Sequence, residues 1–185
     1  MTDLTTSPPD APRTHARRFV DRIDALLRDN GAARRALATG LRPWNGEPQG
    51  GMHPYVATWL PDGLHPQRER AYYTVAALMT TTRRAGIGTG ISIGDALARA
   101  SRTVSATTTE SSLRRLTTYT TAGPYTHLRG AVRLTDAGGA LLDWERLLRE
   151  LDSWYFTGRR TCTQWQQDYY RTTQPRPTNT TNDSE

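Results

Sequence analysis

Few side chains in this sequence are of the kinds that carry out covalent or metal chemistry, and their spacing works against it. His15, His53, His65 and His127 are scattered, with no HExxH pair and no other paired spacing that would hold a metal. Cys162 is the single cysteine, which rules out an intrachain disulfide and the thiolate pairs of a zinc site. It falls at a core-compatible helical position and is expected to be a buried structural thiol. Glu145 with Asp152, or Glu110 with Asp136, could be imagined as acid–base pairs. Each stands among arginines, where a surface ion pair or a helix-end charge is the expected role. Gly86, Gly88 and Gly90 have the outline of a phosphate cradle, yet the pattern puts no strand before them, and the loop has no lysine. They are expected to form a flexible loop. No catalytic residue, metal site or cofactor is expected.

The arginines carry more information. All 24 basic residues are arginine, a choice that a GC-rich genome could make on its own. The surplus needs another cause. Residues 1–12 and 177–185 hold four of the 18 acids and no arginine, which leaves a body of 24 arginines against 14 acids, or +10. Such a body repels itself unless it meets an anionic partner, and nucleic acid is the commonest one. Arginine also forks onto phosphate and stacks on bases. Arg129 and Arg133, four apart, project from one helix face. Arg159 and Arg160 sit beside Gly158 at an expected helix junction, where free backbone amides would add to phosphate binding. Arg34 with Arg35, Arg99 with Arg102, and Arg114 with Arg115 make three more clusters. Of the aromatics, Trp144, Trp154, Trp165 and Tyr169 fall at helical spacing beside leucines and belong to the core. Trp44, Tyr119 and Tyr125 occupy loop-like contexts open to base stacking.

The elements that must position these residues are helical almost throughout, so the fold class is all-α. Phe19, Ile23, Leu26 and Leu27 predict a helix over 15–29, followed by one over 31–40. The proline- and glycine-rich stretch 41–66 is a long connection with room for a short helix at 54–60. A helix over 67–84 buries Tyr72, Val75, Ala76 and Met79. Ser92 is expected to cap the next helix, with Asp95 three residues on as a variant capping box, and Ile93, Ala96, Leu97 and Ala100 on its apolar side. Residues 103–112 are expected to be a loop leading into a helix with Leu113 and Leu116. Leu128, Ala131, Val132 and Thr135 mark the next helix, entered after Pro124, and Gly138-Gly139 make the turn that follows. Asp143 then caps a helix through Leu147, Leu148, Leu151, Trp154 and Tyr155 that Gly158 ends. A last helix over 161–172 carries Cys162, Trp165 and Tyr169.

The expected organisation is a disordered tail at 1–12, an N-terminal helical lobe at 13–101, a C-terminal antiparallel helical bundle at 102–173, and a second disordered tail at 174–185. A chain of 185 residues is long enough to bury a core without staples. No stretch approaches the ~20 apolar residues of a membrane helix and no signal-peptide core is present, so a cytoplasmic protein is expected.

The segment GISIGDALARAS at 90–101 resembles the glycine–serine–glycine–alanine–leucine signature of the small subunit (Cse2/CasB family) of the type I-E CRISPR surveillance complex, Cascade. The likeness continues through HLRGAVRLTDAGGALLDWERLLRELDSWYFTGRRTCTQWQQDYY at 127–170, and GAARRAL at 31–37, the proline-rich connection and the helix 69–84 fit in order and spacing. It spans nearly all of 15–172. The resemblance implies a non-catalytic antiviral-defence subunit with an N-terminal lobe and a C-terminal bundle. It would be present as two head-to-tail copies, beside the large subunit and the repeated backbone subunit, around CRISPR RNA and target DNA. Its basic surface would guide the displaced strand of the R-loop. Arg35, Arg129, Arg159 and Arg160 match the family's basic positions, and Arg102 matches less closely. Residues 103–112 depart from the pattern by carrying threonine and serine where relatives are more basic, and Gly130 departs by its small size.

The nucleic-acid-binding set is therefore Arg35, Arg102, Arg129, Arg133, Arg159 and Arg160, with Arg34, Arg99, Arg114 and Arg115 as possible additions. If the helix after Gly138-Gly139 packs on the one before it, Arg129, Arg133, Arg159 and Arg160 lie on one ridge for the displaced strand. Two other readings stay open: a free-standing helix-turn-helix regulator built on 128–155, and a pure scaffold whose arginines grip only partner subunits.

Overall fold

The computed structural model describes residues 14–42, 50–82 and 86–174. The tail expected at 1–12, all but Gln174 of the second tail, and Trp44 lie outside the described residues. The chain is all-α as expected: α1 (His15–Asp29), α2 (Gly31–Ala38), α3 (His53–Val56), α4 (Pro66–Met79), α5 (Ile93–Ala100), α6 (Ala106–Thr117), α7 (Tyr125–Ala137), α8 (Trp144–Asp152) and α9 (Trp154–Thr173). Among the described residues there is no strand, only an isolated parallel bridge between Gly86 and Asp143.

Two helical clusters share one contiguous apolar core. In the N-terminal cluster α4 is the central rod, packed by α1, α2 and the 3₁₀ turn Thr39–Leu41. Its periodicity is weak because it is enclosed on most sides, with Ala71, Tyr72, Tyr73 and Val75 through Met79 all buried. The C-terminal cluster is built on α5, which packs against α6, α7 and α9. Helix α8 comes late in the chain but docks back on α4 and α1, and Arg68 clamps it there through two hydrogen bonds of 2.9 and 2.8 Å to the Asp152 carboxylate.

Most predicted boundaries and caps are found. Helix α1 covers 15–29, and Ser92 Oγ accepts from the Asp95 backbone N–H at 3.1 Å. Asp95 does not return the reciprocal capping-box bond; its carboxylate holds Arg99 and Thr172. Four expectations are corrected. The helix expected over 67–84 already ends at Met79, where the Thr80 and Thr81 hydroxyls bond the carbonyls of Ala77 and Leu78. Helix α6 begins at Ala106, within the expected loop. Threonines are poor helix formers, but buried Thr109 bonds the Ala106 carbonyl and the Tyr169 hydroxyl, and this packing outweighs propensity.

The third correction concerns the glycine loop, which is pinned. Asp143 caps α8 as predicted, accepting from the backbone N–H groups of Glu145 (3.0 Å) and Arg146 (3.2 Å). The same buried carboxylate also accepts from Gly88 (3.3 Å) and Gly90 (2.6 Å). The last concerns Gly158. The helix breaks at Ser153 instead, and α9 runs through Gly158 without interruption. A Cβ at Gly158 would come within 2.8 Å of the Tyr119 ring and 2.9 Å of the Trp154 ring, so the position is glycine for packing and not for termination. The break also turns Tyr155, expected in the buried stripe, out to solvent.

Candidate nucleic-acid interface

The arginines divide by what their guanidinium groups touch. Arg146 is structural: it bonds Glu150 (2.9 Å), Asp168 (2.9 Å) and the Gly90 carbonyl (2.6 Å), beside the Trp165 indole N–H that donates to Glu150 at 2.8 Å. Two of the four possible additions are also committed, Arg99 to Asp95 at 3.1 Å and Arg114 to Glu110 at 2.8 Å, each four residues back on its own helix. Arg34 donates to the Leu27 carbonyl at the end of α1. By contrast Arg35, Arg102, Arg115, Arg129, Arg133, Arg159 and Arg160 are exposed and have no carboxylate partner among the described residues. The six residues expected to bind nucleic acid all fall in this second group.

Arg129 opens onto a cleft of about 420 Å³ between the two clusters, and its guanidinium lies 3.4 Å from the Leu41 carbonyl. Arg42 and Arg70 line the same cleft together with Tyr125 and Thr74, and among the described residues no carboxylate lines it. The Arg70 guanidinium lies 4.1 Å from the centre of the Tyr125 ring. Burial there lowers the Arg70 pKa from its ordinary value and pushes the Tyr125 phenol up to about 12. Sequence reasoning missed Arg42 and Arg70. Arg42 is a lone arginine in a proline–glycine stretch, and Arg70 acquires its setting from a tyrosine on a distant helix, which no local pattern reveals.

Arg159 and Arg160 lie inside α9 and not at a helix junction, so the free backbone amides expected beside them are absent. Arg159 sits 4.6 Å over the Tyr119 ring, which also stacks on Trp154 with centroids 6.3 Å apart at 17°. The rings of Tyr119 and Tyr125 are therefore occupied within the protein. The packing expected to join the arginine pairs also differs: α8 docks on α4 and α1, and both α5 and α6 pack against α7 and α9. What connects the start of α7 to the start of α9 is a second, smaller cleft of about 110 Å³, lined by Arg68, Arg70, Tyr125, Trp154 and Tyr155.

Glu145, Asp152 and Glu110, three of the carboxylates considered for acid–base work, are engaged with basic groups. Glu145 faces Arg17 and Arg149, Asp152 holds Arg68, and Glu110 is kept below its ordinary pKa by Arg114 and the Tyr170 hydroxyl. Among the described residues no three His, Cys, Asp or Glu side chains gather in a way that could hold a metal ion. No described helix is long and apolar enough to cross a membrane. Cys162 is buried as expected, and burial raises its thiol pKa.

Comparison with known proteins gives a consistent result. Residues 46–170 match the family model described as CRISPR-associated protein Cse2. A chain of a CRISPR RNA-guided surveillance complex in a pre-nicking state superposes with a TM-score of 0.73 at 30% identity, covering 86% of this chain and 93% of that one. A second chain of a CRISPR RNA-guided surveillance complex gives 0.70 at 30% identity, over 86% and 92%. The crystal structure of CasB from Thermus thermophilus gives 0.68 at 27% identity, over 85% and 99%. A search of curated proteins finds no match.

Proposed function

From the premise that this chain belongs to the CRISPR-associated Cse2 family, we propose that it is a non-catalytic small subunit of a type I-E RNA-guided surveillance complex. In that role it grips nucleic-acid backbone and stabilises the displaced DNA strand of the R-loop. Its partners are the large subunit, the repeated backbone subunit, CRISPR RNA, target DNA and a second copy of itself.

The observation that carries the nucleic-acid role is the sorting of the arginines. Ion pairing within the fold takes up Arg99 and Arg114, while Arg35, Arg102, Arg129, Arg133, Arg159 and Arg160 keep their charge for an outside anion. Replacing duplex DNA by a guide–target hybrid is nearly balanced in free energy, so phosphate contacts on the displaced strand tip it. Such contacts need no base-reading element. The nearest candidate for one, α8, buries Leu147, Leu148 and Leu151 in the core, which argues against a helix-turn-helix regulator.

Binding of a single-stranded oligonucleotide, titrated across salt concentration, tests the backbone role. Each phosphate contact contributes roughly 0.7 to the slope of log affinity against log salt. Alanine at the six arginines should flatten the slope, whereas alanine at Arg99 and Arg114 should leave it nearly unchanged. Equal slopes for both variants would contradict the backbone role, and loss of the six-arginine variant from the assembled complex would favour a scaffold.

A further inference from the structure

Tyr155 and Phe156 are 63% and 83% exposed and meet edge to face with ring centres 5.1 Å apart. Among the described residues they are two of the few large hydrophobic side chains left outside the core, and they stand next to each other. Each has an exposed arginine four residues on, Arg159 and Arg160, so all four side chains share the outward side of the first turns of α9. The rest of that side is Thr163, and the first carboxylate along the helix is Asp168, already held by Arg146 and Gln164.

The carboxylate of the adjoining cleft, Asp152, is held by Arg68. An apolar patch flanked by two exposed arginines suits a ligand that has flat apolar faces and negative charge at a spacing of one residue. A protein partner would have to bring acidic groups to meet the arginines and an apolar surface to cover the rings. Single-stranded nucleic acid carries both features in every nucleotide. Of the three aromatic residues expected from sequence to be open, Trp44 lies outside the described residues, and Tyr119 and Tyr125 are covered by Arg159 with Trp154 and by Arg70. Tyr155 also lines the small cleft that leads to Arg70, so the patch is continuous with the arginine-lined surface between the clusters.

Resting on the backbone-binding reading above, we propose that Phe156 and Tyr155 form a stacking platform for bases of single-stranded DNA, with Arg159 and Arg160 holding the adjoining phosphates. The platform tolerates any base, because stacking uses the ring face and not the hydrogen-bonding edge.

The test uses the full chain, an oligothymidylate and an abasic strand of the same length and charge. Phe156→Ala should weaken oligothymidylate binding about fivefold or more and leave abasic binding unchanged, because one stacked base is removed and no charge. Phe156→Leu should lose as much as Phe156→Ala, and Phe156→Trp should restore binding. Arg159→Ala with Arg160→Ala should weaken binding to both strands. Equal affinities of wild type and Phe156→Ala for oligothymidylate, with salt-dependent binding intact, would overturn the platform while sparing the backbone reading. A wild-type chain that binds neither strand would overturn both. If Phe156→Ala binds the strand normally but drops out of the assembled complex, the patch is a protein contact and the platform is wrong.

Discussion

Helix α9 presents two surfaces built under different constraints. Its inner side, with Trp154, Gly158, Cys162, Trp165 and Tyr169, is buried against α5, α6 and α8. Its outer side carries Tyr155, Phe156, Arg159 and Arg160, all exposed, with Arg159 resting on the Tyr119 ring. On the inner side position and volume decide everything. The α5–α9 crossing is so close that a Cβ at Gly94 would lie 2.7 Å from the Trp165 carbonyl carbon. On the outer side charge and ring faces are what count, and the backbone only has to hold them still. Stability and binding should therefore separate cleanly by side of the helix.

The sharpest way to break that separation is at the inner side. Trp165→Ala removes a fully buried indole and its hydrogen bond to Glu150. It should cost about 3–5 kcal/mol, read by denaturant unfolding. Gly94→Ala forces two backbones apart and should cost about 2–3 kcal/mol. Cys162 provides a second readout for both, since its buried thiol should react with a thiol reagent much faster in these variants than in wild type.

Next in size is Asp143→Ala, which leaves four backbone N–H groups without their acceptor. A loss of about 2 kcal/mol is expected, with faster hydrogen exchange at Gly88 and Gly90. At the outer surfaces the effect on stability should nearly vanish. Alanine at Arg129, Arg133, Arg159 and Arg160 together should cost less than about 1 kcal/mol, because exposed charges contribute little. The same variant should lower the salt slope of single-strand binding by up to about three. Alanine at Arg99 and Arg114, both ion-paired on their own helices, should change binding least of all.

The two sides also differ in how far the sequence reveals them. Apolar spacing and caps are local signals, so α1, the Ser92 cap and the Asp143 cap could be read directly. Gly158 misleads because glycine stops helices by conformational freedom, whereas here it makes room for Tyr119 and Trp154. The break falls at Ser153, where no glycine or proline announces it, and that shift turns Tyr155 and Phe156 outward. Periodicity finds the arginines that share a helix face, such as Arg129 with Arg133. It does not show which of them a carboxylate four residues back will hold, although the Asp95–Arg99 and Glu110–Arg114 spacings contain that information. Arg42 and Arg70 meet Arg129 only in three dimensions.

The central claim is that exposed arginines hold the displaced strand, and the most direct test is permanganate reactivity of that strand in R-loops formed by complexes assembled with the Arg129, Arg133, Arg159 and Arg160 alanine variant. The expected result is a variant that stays in the complex, forms R-loops more slowly and leaves displaced-strand thymines more reactive. Unchanged reactivity in a fully assembled variant complex would contradict it.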